Sequence, residues 1–482
     1  MPAYYYRHCE RIRRTRLIAI PAIGATGFLD WFGGRVVTNF LWGVAAGILA
    51  VAAIVFFAFT LFRRGALTFK IDGFYTHVVD GDVGPFIRDV QADVPQAEEC
   101  RLDDKMSCSI RDAVQCHNTE SQPDCNVLLL SGGGQWGAYG AGLFDTLSRK
   151  SADELALPGI GVITGISTGS LQALMLMVAL DPKHTKEMRR FALDRLVWGY
   201  SPEKESDVVS HTGMISVPLF GSAAGTEPLR KRIIEALMPG GDDVLVKAIG
   251  NSSLEGYVGF VEAERGVFRY ADIKDLVNSA PSPEAAAEAL AAATMASSAM
   301  PVFHQQLRVA GSGGVPLALY DGGVRRSVFF DRAMAAVDQE VRKQMQGHAV
   351  TKVAGGASQE AIAKDYEKTA PTVYVVRNGP TARKRDDVFN SKSGPLKNGQ
   401  RGYDLLVNES EIGAIAGLRL NNPYGRILLT SADRYDTFPS DVGENFKKDE
   451  MFKPAFMARL RDLGRHKAER DGGPWWPLSP IK

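Results

Sequence analysis

GVITGISTGSLQALMLMVAL, residues 161–180, joins two textures through one turn. Gly161 to Ile166 is a short β-branched run, and Thr168 to Leu180 is a strongly apolar stretch of the kind a helix buries against a sheet. Between them stands Gly165-Ile166-Ser167-Thr168-Gly169, a G-x-S-x-G element. Such a serine occupies a sharp strand-to-helix turn whose crowded backbone leaves no room for flanking side chains, hence glycine on both sides. Its hydroxyl then projects from the strand end at the positive N-terminus of the helix. In a chain of 482 residues with 49 glycines the pattern alone is weak. The strand–turn–helix context makes Ser167 a candidate nucleophile.

Working back from this turn, Val127 to Leu130 is an apolar run ending in Ser131-Gly132-Gly133-Gly134-Gln135-Trp136-Gly137, followed by a helical pattern over Ala138 to Leu147. Successive glycines let backbone N–H groups converge on one point without Cβ interference, which suits an oxyanion developing on an ester carbonyl. Gly132, Gly134 and Gly137 also spell G-x-G-x-x-G. A phosphate cradle, however, wants either a Lys-Ser/Thr ending or an acidic residue that closes a second strand about 20 positions on; the loop has no such ending, and no acidic residue closes a second strand at that distance.

Working forward, Asp321-Gly322-Gly323 follows the apolar run Leu317 to Tyr320. An aspartate at a strand end, with glycines permitting close approach of another loop, is a candidate base once burial raises its pKa from the solvated value near 3.9. A second Asp-Gly-Gly at Asp471 follows a charged stretch and reads as a plain turn.

These elements, in this order, resemble the patatin-like phospholipase family: a G-G-G-x-R/K-G oxyanion loop, a G-x-S-x-G nucleophile and a D-G-A/G base. Gly132, Gly133, Gly134 and Gly137 match the loop, Gly165, Ser167 and Gly169 the nucleophile motif, and Asp321, Gly322 and Gly323 the base motif. Ala296 to Pro301 is similar to the family's small-residue segment ahead of the base. The resemblance implies a Ser167–Asp321 dyad acting through an acyl-serine intermediate. It also implies a three-layer α/β domain with a mostly parallel sheet and lipid acyl esters as substrate. The sequence departs from the family at Trp136, where Arg or Lys is usual, and at the Val-Arg-Arg-Ser continuation after Gly323.

The mechanistic rival, a Ser-His-Asp hydrolase, would need a histidine after the acid. His348 lies in a polar stretch and His466 on a charged helix, both reading as surface residues, while His304 reads as core or pocket wall. No ligand spacing marks a metal site, so no cofactor is expected and hydrolysis is expected to be calcium-independent.

Residues 40–62, FLWGVAAGILAVAAIVFFAFTLF, carry no charged side chain and match the ~20 apolar residues of a membrane-crossing helix. A cleavable signal and a buried core helix are the weaker readings. Arg7, Arg11, Arg13, Arg14, Arg16 and Arg35 precede this stretch, against Arg63, Arg64 and Lys70 after it. The positive-inside tendency therefore predicts a single pass with a cytoplasmic N-terminus and an extracytoplasmic catalytic domain. The short apolar stretch 17–29, broken by Pro21, Gly24 and Gly27, reads as interfacial.

Cys100, Cys108, Cys116 and Cys125 do not follow zinc-site spacings. Two disulfides, in any of three connectivities, fit an oxidising compartment; four unpaired thiols are the alternative.

The organisation expected is thus an N-terminal segment 1–39, the membrane helix 40–62, a Cys-containing juxtamembrane segment 63–124, the hydrolase domain 125–435 and a C-terminal helical extension 436–482. Within it, Val315 to Tyr320 and Thr372 to Val376 read as strands, Glu284 to Ala299 and Phe446 to Arg470 as helices, and 379–402 as a basic loop. A net charge of +1 offers no bulk attraction for nucleic acid. The partner expected is membrane lipid, approached by Arg325, Arg326 and the basic loop; the sequence leaves the oligomeric state open.

Overall fold

A computed structural model describes residues 34–62, 68–69, 77–78, 126–149, 159–211, 224–301, 304, 306–310, 316–329, 372–381, 395–421, 426–438 and 452–478. The four cysteines after residue 99, His348, and the apolar stretch 17–29 lie outside them. The chain divides into two compact units, residues 1–62 and 63–482.

The first unit contains helix α1, Gly34–Phe62. Trp42, Ile48, Leu49, Ile54 and Phe56 are all exposed on it. Among the described residues no helix is long and apolar enough to cross a membrane. The crossing expected over 40–62 is not supported by the described residues.

The second unit is built on an 11-stranded sheet. Its elements in chain order are β1 Thr68–Phe69, β2 His77–Val78, β3 Asn126–Leu130, α2 Gly137–Leu147, β4 Ile160–Ile166, α3 Thr168–Ala179 and α4 Lys186–Gly199. After a small two-stranded sheet (β5 Ser210–His211, β6 Ala224–Gly225) come α5 Glu227–Leu237, α6 Val244–Gly250, β7 Glu255–Glu262, β8 Val267–Asp272, α7 Ile273–Asn278 and α8 Pro283–Ser297. The remainder is β9 Leu307–Ala310, β10 Pro316–Asp321, β11 Thr372–Arg377, α9 Pro395–Asn421, β12 Arg426–Ser431, α10 Pro454–Glu469 and β13 Trp476–Pro477.

The strand order is β1-β9-β10-β7-β4-β3-β11-β12-β13, with β8 and then β2 continuing from the other edge of β7. The five central strands β7, β4, β3, β11 and β12 run parallel, and β8, β10 and β13 add antiparallel pairs around them. The fold is α/β with a mixed sheet that is parallel at its centre, as the alternation of apolar runs and helices implies. Side-chain alternation sends Leu128, Leu130 and Val376 into a core under α2, α3, α8 and α10, and Val127, Leu129 and Val375 into a second core with Ile415 and Leu418 of α9. Strands buried on both faces explain their nearly unbroken apolar sequences.

Two expectations need correction. Residues 379–402 are not all loop, because α9 starts at Pro395. Proline opens a helix without losing a needed N–H, and the polar first turns of α9 conceal a stripe that becomes apolar only further on. The C-terminal helix starts at Pro454 rather than Phe446, since that ring fits the first turn of a helix but not its interior.

Candidate functional site

Two strands of opposite direction meet on one edge of β7. β4 runs parallel to β7 and ends with Ile166 opposite Gly259. β10 runs antiparallel and ends with Asp321 opposite Phe260, the next residue along. The serine after Ile166 and the aspartate are thereby brought face to face from 154 positions apart in sequence (321 − 167). Close approach is possible only with glycine at 322: a Cβ there would lie 2.7 Å from the Gly259 carbonyl oxygen and 2.7 Å from Cδ1 of Ile166.

Ser167 has φ 51° and ψ −121°, a left-handed conformation costly for any residue but glycine. Its surroundings over-determine it. Its backbone N–H donates to Ser297 Oγ at 2.7 Å, and its carbonyl accepts from the N–H of Ser170 at 2.9 Å. Gly165 and Gly169 are required by contact: a Cβ on Gly165 would stand 2.4 Å from the Gly169 carbonyl oxygen, and one on Gly169 would stand 2.4 Å from that of Leu130. The serine thus caps the N-terminus of α3, with no side chain between it and the glycine loop.

Asp321 is buried beside Ser167. Its Oδ1 accepts from the N–H of Gly323 at 2.7 Å. Burial pushes its pKa up to about 7; the bonds from Gly323 and Ser167 pull it back, and Glu411 on α9 adds a smaller upward push. A carboxyl tuned to neutrality next to a serine hydroxyl is matched to proton abstraction near physiological pH.

Gly132 comes closest to the nucleophile: a Cβ on it would lie 3.3 Å from Cβ of Ser167. Gly133 has φ 146° and Gly134 φ 56°, which turn successive amides in directions a chiral residue rarely allows. Gly137 closes the loop, where a Cβ would overlap Thr168 Oγ1 at 2.0 Å. Gly132 and Asp321 therefore both lie beside Ser167.

Trp136 is buried, edge-on to Tyr435 at 4.6 Å and to Phe456 at 5.2 Å. It anchors the loop in the core and offers no charge to the site. His304 is buried, its Nδ1 in contact with the Ser298 carbonyl at 3.0 Å, and burial lowers its pKa. It is a buried residue away from the dyad's hydrogen bonds. His466 is exposed against Phe438, and Asp471 sits in a turn with Gly472 and Gly473 at positive φ. Arg325 donates to the Gly266 carbonyl and Arg326 lies over the Phe268 ring at 5.9 Å. Among the described residues no group of three His, Cys, Asp or Glu could hold a metal ion.

Sequence reasoning did not single out Ser297 and Asn378. Ser297 bridges Ser167 N–H to the Gly259 carbonyl, and the carbonyl oxygen of Asn378 stands 1.8 Å from where a Cβ on Gly133 would be. The serine-rich end of α8 was a signal for the first; nothing in the local sequence marks the second.

Among curated proteins none matches the chain. A solved structure, VipD from Legionella pneumophila, aligns at 10% identity over 73% of this chain and 68% of that one, with a TM-score of 0.25, too low to argue from. The family model for patatin-like phospholipase matches residues 128–334. That interval spans every glycine, serine and aspartate of the site just described, and the chain carries a patatin-like phospholipase domain, a carboxylic ester hydrolase.

Proposed function

We propose that this domain hydrolyses fatty-acyl esters of membrane lipids through a Ser167–Asp321 dyad. The observation that carries the reading is a serine in left-handed backbone at the end of β4, set beside a buried aspartate at the end of β10 by the register of both strands on β7. Asp321 takes the Ser167 Oγ proton as Oγ attacks the acyl carbonyl, and the amides of Gly132 to Gly134 receive the oxyanion. Collapse breaks the ester C–O bond, and the protonated Asp321 returns its proton to the departing alkoxide. Water then attacks the acyl-serine with Asp321 again as base, releasing fatty acid and restoring Ser167. No step calls for calcium, and hydrolysis is expected to persist in EDTA.

Residues 40–62 are proposed as the anchor that keeps the site near its lipid, with the N-terminus cytoplasmic and the catalytic domain on the opposite side. The charge-free stretch and the excess of arginine before it support this. Arg325, Arg326 and the basic stretch 383–401 would meet anionic headgroups. A cysteine-labelling experiment with a membrane-impermeant reagent on intact cells tests the orientation: labelling of a cysteine introduced at position 482 is expected, and labelling only after lysis would reverse it.

The activity test is fatty-acid release from mixed phospholipid vesicles by wild type, Ser167→Ala and Asp321→Asn. Loss in both folded variants is expected. Wild-type activity confined to short esters or thioesters would redirect the substrate class. Wild type inactive on all of these would favour a scaffold with an idle hydrolase fold.

A further inference from the structure

Gly132, Gly133 and Gly134 have no side chains to fix their shape, and glycine carries the largest backbone freedom of any residue. A pair of buried amides from outside the loop supplies the constraint. Asn378, just beyond β11, donates from Nδ2 to the Ser131 carbonyl at 2.9 Å and to Gln172 Oε1 at 2.9 Å. Gln172, one turn into α3, donates from Nε2 to Asn378 Oδ1 at 3.1 Å and to the Gly137 carbonyl at 2.8 Å. The backbone N–H of Asn378 donates to Ser131 Oγ at 2.9 Å, and that hydroxyl donates to the Gly132 carbonyl at 2.8 Å.

Ser131 opens the loop and Gly137 closes it. The two amides bond to each other and tie both ends of the loop to α3, the helix that Ser167 begins. All the residues concerned are buried: Ser131 and Gln172 are fully so, and Asn378 is 1% exposed. Each amide spends its donors on the partner amide and on the loop backbone. A core that needed only filling would be served by two apolar side chains, without the risk of unpaired buried amides.

Gly140 on α2 makes room for the pair. A Cβ there would lie 2.4 Å from Gln172 Nε2 and 2.8 Å from Asn378 Oδ1. The glycine is accounted for by the amide pair and by nothing in the helix itself.

We infer that Asn378 and Gln172 are positioning residues, an amide clamp that sets the Gly132 to Gly134 amides against Ser167. The inference rests on the acyl-hydrolase reading above. Removing an oxyanion donor outright costs roughly 10²–10³ in kcat, so loosening the loop that carries the donors is expected to cost roughly 10–100-fold.

The test uses the full chain in detergent with p-nitrophenyl butyrate, measuring kcat and KM separately alongside thermal unfolding. The double variant Asn378→Leu/Gln172→Met replaces both amides with apolar side chains of similar size, so the core stays filled. Gly140→Ala displaces the pair without removing it. In folded protein both variants are expected to lose kcat by roughly 10–100-fold with KM within about threefold of wild type. Wild-type kcat in either folded variant would overturn the clamp. Failure of both to fold would also overturn it, because the pair would then serve the fold and not the loop. Absence of Ser167-dependent cleavage in wild type is a separate result, which removes the hydrolase reading itself.

Discussion

Ser297 Oγ accepts the backbone N–H of Ser167 at 2.7 Å and donates its own proton to the Gly259 carbonyl at 2.6 Å. One hydroxyl from the end of α8 thereby joins the nucleophile's strained backbone to the strand that also receives Asp321. Replacing it by alanine would leave a buried N–H and a buried carbonyl short of a partner, at a cost of about 1–3 kcal/mol. Ser297→Ala is expected to lower the urea midpoint correspondingly and to reduce kcat about tenfold as the φ 51° conformation loses its support. An unchanged kcat in folded protein would show that the glycines alone hold the turn.

The pH dependence follows from Asp321, which has to be ionised to accept the serine proton. With its pKa near 7, kcat/KM for a soluble ester is expected to climb through an ascending limb centred near pH 7 and then level. Stability moves the other way. Because burial raises the folded pKa above the ordinary 3.8, the native state binds more protons than the unfolded chain between about pH 4 and 7. Stability therefore falls as pH rises through that window, by an amount on the order of a few kcal/mol. Asp321→Asn removes this penalty, so the variant is expected to be inactive yet to unfold at a higher temperature than wild type at pH 8. A limb centred near pH 4 in the wild type would mean that Asp321 is solvated when it works.

The loop makes a sharper demand at one position. Gly133 combines φ 146° with a backbone oxygen, that of Asn378, only 1.8 Å from a hypothetical Cβ. Neither the conformation nor the contact can be relieved by a rotamer change. Gly133→Ala is expected to abolish ester cleavage, by 10³-fold or more, an amount that combines a lost oxyanion donor with a displaced neighbour. Stopped-flow hydrolysis of a short ester measures it, and loss of less than tenfold would take Gly133 out of the oxyanion hole.

The parts of this site readable from sequence are those where local chemistry and backbone geometry coincide. Gly165, Gly169 and Gly322 are visible because each marks a contact that excludes a Cβ, and Ser167 and Asp321 because each follows an apolar strand. What stayed hidden depends on tertiary register. Nothing near Asn378 or Gln172 in sequence shows that residues 206 positions apart bond to each other. Nor does composition reveal that Arg377 forms a buried ion pair with Glu411 at 2.9 Å, or that Glu411 belongs to a helix at all. The polar opening of α9 reads as loop because its helical stripe, Ile415 and Leu418, appears only where it meets the sheet.

The crossing of α2 and α10 gives a prediction in which two opposing effects can be ranked. Gly142 and Gly464 face each other's helices. A Cβ on Gly142 would lie 2.0 Å from the Arg461 carbonyl oxygen, and one on Gly464 would lie 2.1 Å from that of Tyr139. Alanine in a helix gains about 1 kcal/mol over glycine. At Gly413 on α9, where a Cβ would meet nothing within 4 Å, that gain should appear almost in full, and Gly413→Ala is expected to stabilise the protein by up to about 1 kcal/mol. At Gly464 the added methyl would force the backbones of two helices apart, and overpacking of this kind typically costs about 1–3 kcal/mol. Separating the helices would also loosen Phe456 from Trp136, which lies inside the glycine loop. Gly464→Ala is therefore expected to destabilise the domain and to lower kcat, although residue 464 lies 33 positions beyond Ser431 (464 − 431), the last residue of the central sheet strands. Chemical denaturation of the two variants side by side decides the matter. Equal stabilisation by both would mean that α10 does not bear on α2 in solution, and the loop would then owe its shape to the amide pair alone.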